Sequence, residues 1–237
     1  MNIRGLVPFT LVDYPEHLAC VVFTGHCNFR CPFCHNPCLI FDPESQPEIS
    51  RAAFADFLKK RNGKLDGVVI SGGEATLQSD LADFCREIHE YGYSVKLDTN
   101  GSRPDIVEAL LKQKLVDALG IDFKAPAAKY QELTGSADAG IAGKVVHAIQ
   151  AALNAGVDLD VRTTVHRRLL EEEDLRTMRK ELDVIAPLNW VLQQFNPVEV
   201  IDDSLQSLPT FSDGELVAIA KSMPRTRVRG LTGLYLF

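Results

Sequence analysis

Short runs of branched apolar residues alternate along this chain with longer stretches whose apolar positions recur at helical spacing. The runs at 17–24 (HLACVVFT), 67–72, 94–100, 118–124, 159–165 and 189–195 read as strands. Helices are expected between and after them, near 50–61, 79–91, 103–114, 142–155, 171–185 and 213–222, several introduced by capping residues such as Ser50, Ser79 and Ser102. Strand followed by helix, repeated, predicts an α/β fold with a parallel sheet. The last run, TRVRGLTGLYLF at 226–237, reads as a closing strand or an extended tail. No linker rich in Pro, Gly and Ser divides the chain, so 1–237 is read as one domain, with its core at about 15–200 and an extension over 201–237.

Six such units suit either an open doubly wound sheet or a partial (βα)6 barrel of the triosephosphate isomerase type. Both collect ligand groups at the carboxyl ends of the strands. The unusual polar residues fall there: a cysteine loop after the first strand, Ser71 to Glu74 after the second, Asp98 to Gly101 after the third, Asp122 and Lys124 on the fourth, and Arg162 to His166 late in the fifth.

Composition narrows the function classes. The chain is 46% hydrophobic and 24% charged, the balance of an ordinary globular protein. Its net charge of −7 argues against a nucleic-acid binder, and local basic spots such as Arg167–Arg168 read as solvated faces. No apolar run approaches the roughly 18 to 20 residues that span a bilayer. Pro8 and Pro15 interrupt the start before a signal-peptide segment forms, so no membrane association and a cytoplasmic location are expected.

Six cysteines sit at 20, 27, 31, 34, 38 and 85, and the crowding of four into 27–38 speaks for metal or redox chemistry rather than a disulfide frame. Cys27, Cys31 and Cys34 form a Cys-x3-Cys-x2-Cys set, CNFRCPFC, directly after a strand. Three thiolates on a tight loop hold three corners of an iron-sulfur cube and leave one iron open to a small molecule. The competing reading is a structural zinc site completed by His35 or Cys38. Zinc sites usually draw on two separated ligand pairs, which one short loop does not provide. Cys20 and Cys85 fall within a strand and a helix and read as small buried apolar residues, and Cys38 as a bystander.

The loop CNFRCPFCHNP resembles the cluster motif of the radical S-adenosylmethionine superfamily, with Phe33 at the aromatic position before the third cysteine. The similarity continues through SGGEATLQ, KLDTNGS, GIDFKAP, RTTVH and VLQQFNP, and this series resembles the activating proteins of anaerobic ribonucleoside-triphosphate reductases, kin to pyruvate formate-lyase activators. The resemblance implies a [4Fe-4S] cluster on the three cysteines and S-adenosylmethionine chelated to the open iron. An electron from the reduced cluster then yields a 5'-deoxyadenosyl radical that takes hydrogen from a glycine of the partner reductase. A flavodoxin-like or ferredoxin-like protein would supply the electron.

It also implies roles along the chain. Gly72 and Gly73 let the backbone approach the methionine moiety and Glu74 accepts from its ammonium, while Ala75 stands where proline is usual. Asp98, Thr99 and Asn100 meet ribose hydroxyls or an ion, or form a strand-to-helix turn capped by Ser102, and both readings stay open. Asp122 and Lys124, two apart on one strand face, contact the methionine carboxylate and ribose or a monovalent cation. Arg162 points inward toward a carboxylate-bearing ligand, His166 is equally a strand-end residue with no role, and Gln193, Gln194 and Asn196 face the substrate loop by analogy. A radical enzyme of small-molecule metabolism and a non-catalytic zinc or iron-sulfur module are the alternatives.

Overall fold

The computed structural model describes residues 1–232. In chain order the elements are β1 (Ile3–Thr10), β2 (Ala19–Thr24), α1 (Pro37–Phe41), α2 (Arg51–Arg61), β3 (Gly67–Gly72), α3 (Leu81–Glu90), β4 (Ser94–Thr99), α4 (Pro104–Lys112), β5 (Ala118–Asp122), α5 (Ala127–Thr134), α6 (Ile141–Ala155), β6 (Asp158–Val165), α7 (Glu172–Ile185), β7 (Trp190–Gln194), α8 (Ser204–Ser207), α9 (Asp213–Lys221) and β8 (Thr226–Arg229). The strands form one sheet in the order β1 to β8, with β1 antiparallel to β2 and every later neighbour parallel.

The six expected parallel strands are β2 to β7, and β8 extends the parallel run on the far side of β7. Of the expected closing run, 226–229 is strand, and 233–237 lies outside the described residues. Strand β1 was not expected. Gly5 and Pro8 make 3–10 read as a broken segment, yet an edge strand tolerates proline, and the pairing with β2 absorbs it by register shifts between Ile3 and Gly5 and between Val7 and Thr10. Helix α5 was also missed. It ends on Gly135 at φ 63°, and the carbonyl of its last residue, Thr134, accepts the Arg30 N–H at 2.7 Å, which ties this helix to the cysteine loop.

Two of the three expected caps do not cap a helix. Ser50 caps α2 by accepting from the Ala53 N–H, but α3 starts on Asp80 and α4 on Arg103 with no side-chain cap. The Ser102 hydroxyl accepts from Asn28 in the cysteine loop instead.

Alternation along the strands separates two environments. Val68, Ile70, Val95, Leu97, Leu119, Ile121, Val161 and Leu192 join the large core against the helices. On the opposite face a small cluster of Tyr14, Ala19, Val21, Val69 and Ala118 fills the end where the strands begin, and charged residues occupy the end where they finish. One cavity touches residues from Val12 and Asp13 beyond β1 round to Arg229 on β8. A flat sheet of this width would be roughly 34 Å across at about 4.8 Å per strand spacing, too wide for its two edges to share a cavity. The sheet is therefore curled into a partial barrel, with no hydrogen-bonded pairing of β1 to β8 among the described residues.

Candidate active site

The cavity at the carboxyl ends of the strands holds about 500 Å³, within the range of small-molecule sites. Cys27, Cys31, Phe33, Cys34, Gly72, Gly73, Glu74, Asp98, Asn100, Asp122, Lys124 and Arg162, the twelve residues expected to form the site, all line it.

The cysteine loop leaves β2 and is held by backbone contacts on both sides. His26 donates to the Leu39 carbonyl at 2.7 Å, and the Arg30 guanidinium donates to the carbonyls of Cys27 and Phe29 at 2.7 Å each. The Cys27 Sγ accepts from the Phe29 N–H at 3.4 Å, and the Asn100 amide stands 3.9 Å from the same sulfur. Cys31 is buried, Cys27 and Cys34 are half-buried, and none is in a disulfide. Burial pushes the Cys27 thiol up to about 11 and the Cys31 thiol up to about 12, and raises Cys34, while the Lys124 ammonium works in the opposite direction on all three. Phe33 positions that ammonium: Lys124 Nζ lies 5.4 Å from the Phe33 ring centroid. Thiols with such pKa values give up their protons to a metal that replaces the lost charge balance.

No three His, Cys, Asp or Glu side chains among the described residues are arranged to hold one metal ion. A single zinc needs its donors on one atom, whereas each thiolate of an iron-sulfur cube caps a different iron and need not converge with the others. The donor set, three thiols facing a cavity with a lysine at hand, therefore fits a cluster better than zinc. Cys38 is exposed on α1, and Cys20 and Cys85 are buried in the core, as expected of bystanders.

The glycine pair has a reason in the backbone. Gly72 takes φ 115°, and a Cβ there would lie 2.2 Å from the Thr24 nitrogen; a Cβ on Gly73 would lie 2.0 Å from the His26 carbonyl oxygen. Gly73 donates to the Thr24 carbonyl at 2.8 Å and Glu74 to the His26 carbonyl at 2.8 Å. The glycines thus let the strand β3 end press flat against the root of the cysteine loop, which sets the distance between the thiols and Glu74.

Glu74 is buried and its carboxylate is nearly saturated. Oε1 accepts from the Thr76 N–H (3.0 Å), the Thr76 hydroxyl (2.6 Å) and the Thr99 hydroxyl (2.7 Å), and Oε2 accepts from the Asn100 N–H (2.7 Å). Burial still raises its pKa against these donors, so a cationic group on the free side of Oε2 would favour the ionised form. The Asn100 side chain donates to Asn28 Oδ1 at 3.0 Å, joining the Glu74 turn to the cysteine loop.

A chain of ion pairs crosses the opposite wall. Lys96 Nζ lies 2.6 Å from Asp98, Arg162 lies 3.0 Å from Asp98 and 2.8 Å from Asp122, Lys124 lies 3.1 Å from Asp122, and Arg229 grips Asp160 at 3.0 and 3.1 Å. Burial works to raise the carboxyls of Asp98 and Asp122, but the neighbouring cations prevail and hold both below the ordinary carboxylate range. Lys96, Asp160 and Arg229 were missed in the sequence. For Lys96 and Asp160 the signal was the alternation of charge with apolar residues in VKLD and LDVR, which points each set to one face; Arg229 falls in the run read only as a closing strand or tail.

The remaining candidates separate. Gln193 lines the cavity, Gln194 turns away to donate to the Phe211 carbonyl, and exposed Asn196 offers its carbonyl to His35 at 3.0 Å. His166 is buried away from the cavity, edge-on to Phe195 with ring centroids 4.9 Å apart, and its Nδ1 accepts from the Arg168 N–H. It braces the 195–205 segment.

Comparison with known proteins agrees with this geometry. The family model of the Radical SAM superfamily matches residues 21–180. A Methanocaldococcus jannaschii protein named as a glycyl-radical enzyme activating enzyme, MJ1227, is 33% identical over 226 residues, covering 92% of this chain and 90% of that protein. A Saccharolobus islandicus protein named as a GTP 3',8-cyclase is 28% identical over 160 residues, 64% of this chain and 49% of its own length. Among solved structures, Streptococcus suis SuiB bound to the precursor peptide SuiA superposes with a TM-score of 0.67 at 13% identity, covering 89% of this chain and 48% of that one, a likeness of fold.

Proposed function

Because the chain belongs to the radical S-adenosylmethionine superfamily, whose members carry a [4Fe-4S] cluster and S-adenosylmethionine, we propose that it activates a glycyl-radical enzyme, with an anaerobic ribonucleoside-triphosphate reductase as the partner. The observation that carries this reading is the 33% identity to a protein named as such an activating enzyme across 90% of that protein's length. The shape of the site supports a macromolecular substrate. Val12 and Asp13 near one sheet edge and Arg229 and Gly230 at the other border the same cavity, and the gap between those edges gives a polypeptide loop a way in.

Cys27, Cys31 and Cys34 would hold the cluster, and Phe33 and Lys124 would flank it. When bound, the cluster and S-adenosylmethionine together supply a one-electron cleavage of a sulfur–carbon bond, the means of drawing hydrogen from carbon. The chain's own task is orientation and exclusion. Glu74 offers Oε2 to an ammonium, and its three Oε1 donors keep that oxygen aimed. Asn100 holds the Glu74 turn and the cysteine loop at a fixed separation. Lys124, paired with Asp122, puts a positive charge beside the thiolates, which lowers the cost of gathering their negative charge in a half-buried site.

The test is to mix the reduced, cluster-loaded protein with S-adenosylmethionine and an anaerobic ribonucleotide reductase under anaerobic conditions and record the electron paramagnetic resonance spectrum. A glycine-centred doublet on the reductase is expected. Formation of 5'-deoxyadenosine without that doublet would refute the partner while keeping the family. A second reading, action on a small molecule, is favoured by the similarity to the GTP 3',8-cyclase over 64% of this chain.

A further inference from the structure

Every carboxylate oxygen of Asp98 and Asp122, where the resemblance allows an alkali-metal ion, already faces a cationic side chain. Arg162 Nη2 lies 3.0 Å from Asp98 Oδ2 and its Nε 2.8 Å from Asp122 Oδ1; Lys96 takes Asp98 Oδ1 at 2.6 Å and Lys124 takes Asp122 Oδ2 at 3.1 Å. The third carboxylate, Asp160, is 3.8 Å from Arg162 Nη1 and is held bidentately by Arg229. The ion-paired groups are thus Lys96, Lys124, Arg162 and Arg229 against Asp98, Asp122 and Asp160, four positive charges to three negative. A metal cation entering this set would face a net positive group of side chains and compete with a cation at every carboxylate oxygen.

A second observation shows that the fold makes room for the guanidinium. In the parallel register Asp98 stands beside Gly120 and Gly120 beside Asp160, with Asp122 beside Arg162 one step along. A Cβ on Gly120 would lie 2.2 Å from Asp98 Oδ1 and 3.1 Å from Arg162 Nη1. The missing side chain is the space across which the carboxylate and the arginine meet. We propose that the Arg162 guanidinium is the fixed cation of this pocket, seated between Asp98 and Asp122 over Gly120, and that it makes binding of S-adenosylmethionine independent of any alkali-metal ion. Arg162 is then a positioning residue: its donors are spent on carboxylates, and it acts by fixing Asp98 and Asp122. The proposal rests on the reading of this wall as part of the cofactor site.

The experiment has two arms. In the first, the Kd of S-adenosylmethionine for the oxidised, cluster-loaded protein is measured in potassium, sodium and choline chloride at equal ionic strength. Values within threefold are expected; any larger loss in choline overturns the proposal. In the second, cluster-free Arg162→Gln, checked for a native circular dichroism spectrum, is melted in potassium and in choline chloride. Potassium is expected to raise its Tm by several degrees and to leave the wild type unmoved; a variant with no such response means that Arg162 acts through shape alone, which also overturns it. Should Arg162→Gln fail to fold, Arg162→Met, which also removes the charge, is read the same way. The second arm uses no S-adenosylmethionine, so it stays valid if the cofactor reading itself fails.

Discussion

The His26 carbonyl oxygen occupies the place that a side chain on Gly73 would need: the added Cβ would lie 2.0 Å from it. Both partners are backbone, so no rotamer change relieves the clash. Gly73→Ala is expected to destabilise the cluster-free protein by about 1–3 kcal/mol, the usual cost of forced overpacking. It should also lower the iron bound per chain after reconstitution, because the cysteine loop is displaced. Denaturant melts and iron assays check both, and a variant with full iron content would show that the loop is not set by this contact.

Substituting any one of Cys27, Cys31 or Cys34 by Ala should abolish the visible iron-sulfur absorption and 5'-deoxyadenosine formation. Cys38→Ala should change neither, since that thiol is exposed on α1. Cys85→Ala should retain the cluster and lose about 1 kcal/mol of stability, the expectation for a small truncation in a packed core. Full activity in any of the first three would remove that residue from the ligand set.

Alkaline pH should weaken the cluster-free protein. Burial holds the Cys27 thiol up at about 11 and the Cys31 thiol at about 12, whereas an unfolded cysteine titrates near ~8.5. The folded chain binds these protons more tightly, so the stability they contribute is whole below about pH 8 and is lost as pH rises through the folded values. Urea midpoints are expected to fall from pH 8 to 10, with a shallower fall in the Cys27→Ala, Cys31→Ala double variant. The slope that remains comes from the other groups raised by burial: Cys20 and Cys85, both to about 12, Cys34, and the buried tyrosines Tyr14, Tyr93 and Tyr130.

Lys96 and Asp98 form a buried pair, with side chains 2% and 9% exposed. Removing the ammonium leaves the carboxylate short of one of its two cations, and breaking such a pair costs about 3–5 kcal/mol. Lys96→Ala should therefore be strongly destabilising, whereas Lys59→Ala, at an exposed ion pair, should change stability by less than about 1 kcal/mol. Equal effects in denaturant unfolding would contradict the ion-pair account of the barrel wall.

That the candidate site's residues would gather in one place was legible in the sequence. The three cysteines, Gly72 to Glu74, Asp98, Asn100, Asp122, Lys124 and Arg162 stand together as their positions at strand ends implied. Their partners were less legible. Glu74 looked like a free acceptor but carries four donors, and Ser102 looked like a cap but bonds the cysteine loop. Asp160 and Arg229 belong to one pair although 69 residues separate them. Strand β1 was hidden by Gly5 and Pro8, because local propensity disfavours strand there and only the neighbouring edge of β2 outweighs it.

What the sequence by itself determined was local and periodic: the spacing of the thiols, the alternation that sends charge to one face of β4 and of β6, and the succession of strand and helix. What only the tertiary structure decided was which charge meets which, since that depends on the curl of the sheet and on the register that sets Asp98, Gly120 and Asp160 side by side. Periodicity is a property of a few neighbouring residues and survives in one dimension. Pairing across strands is fixed by the packing of the whole chain, and no window of sequence contains it.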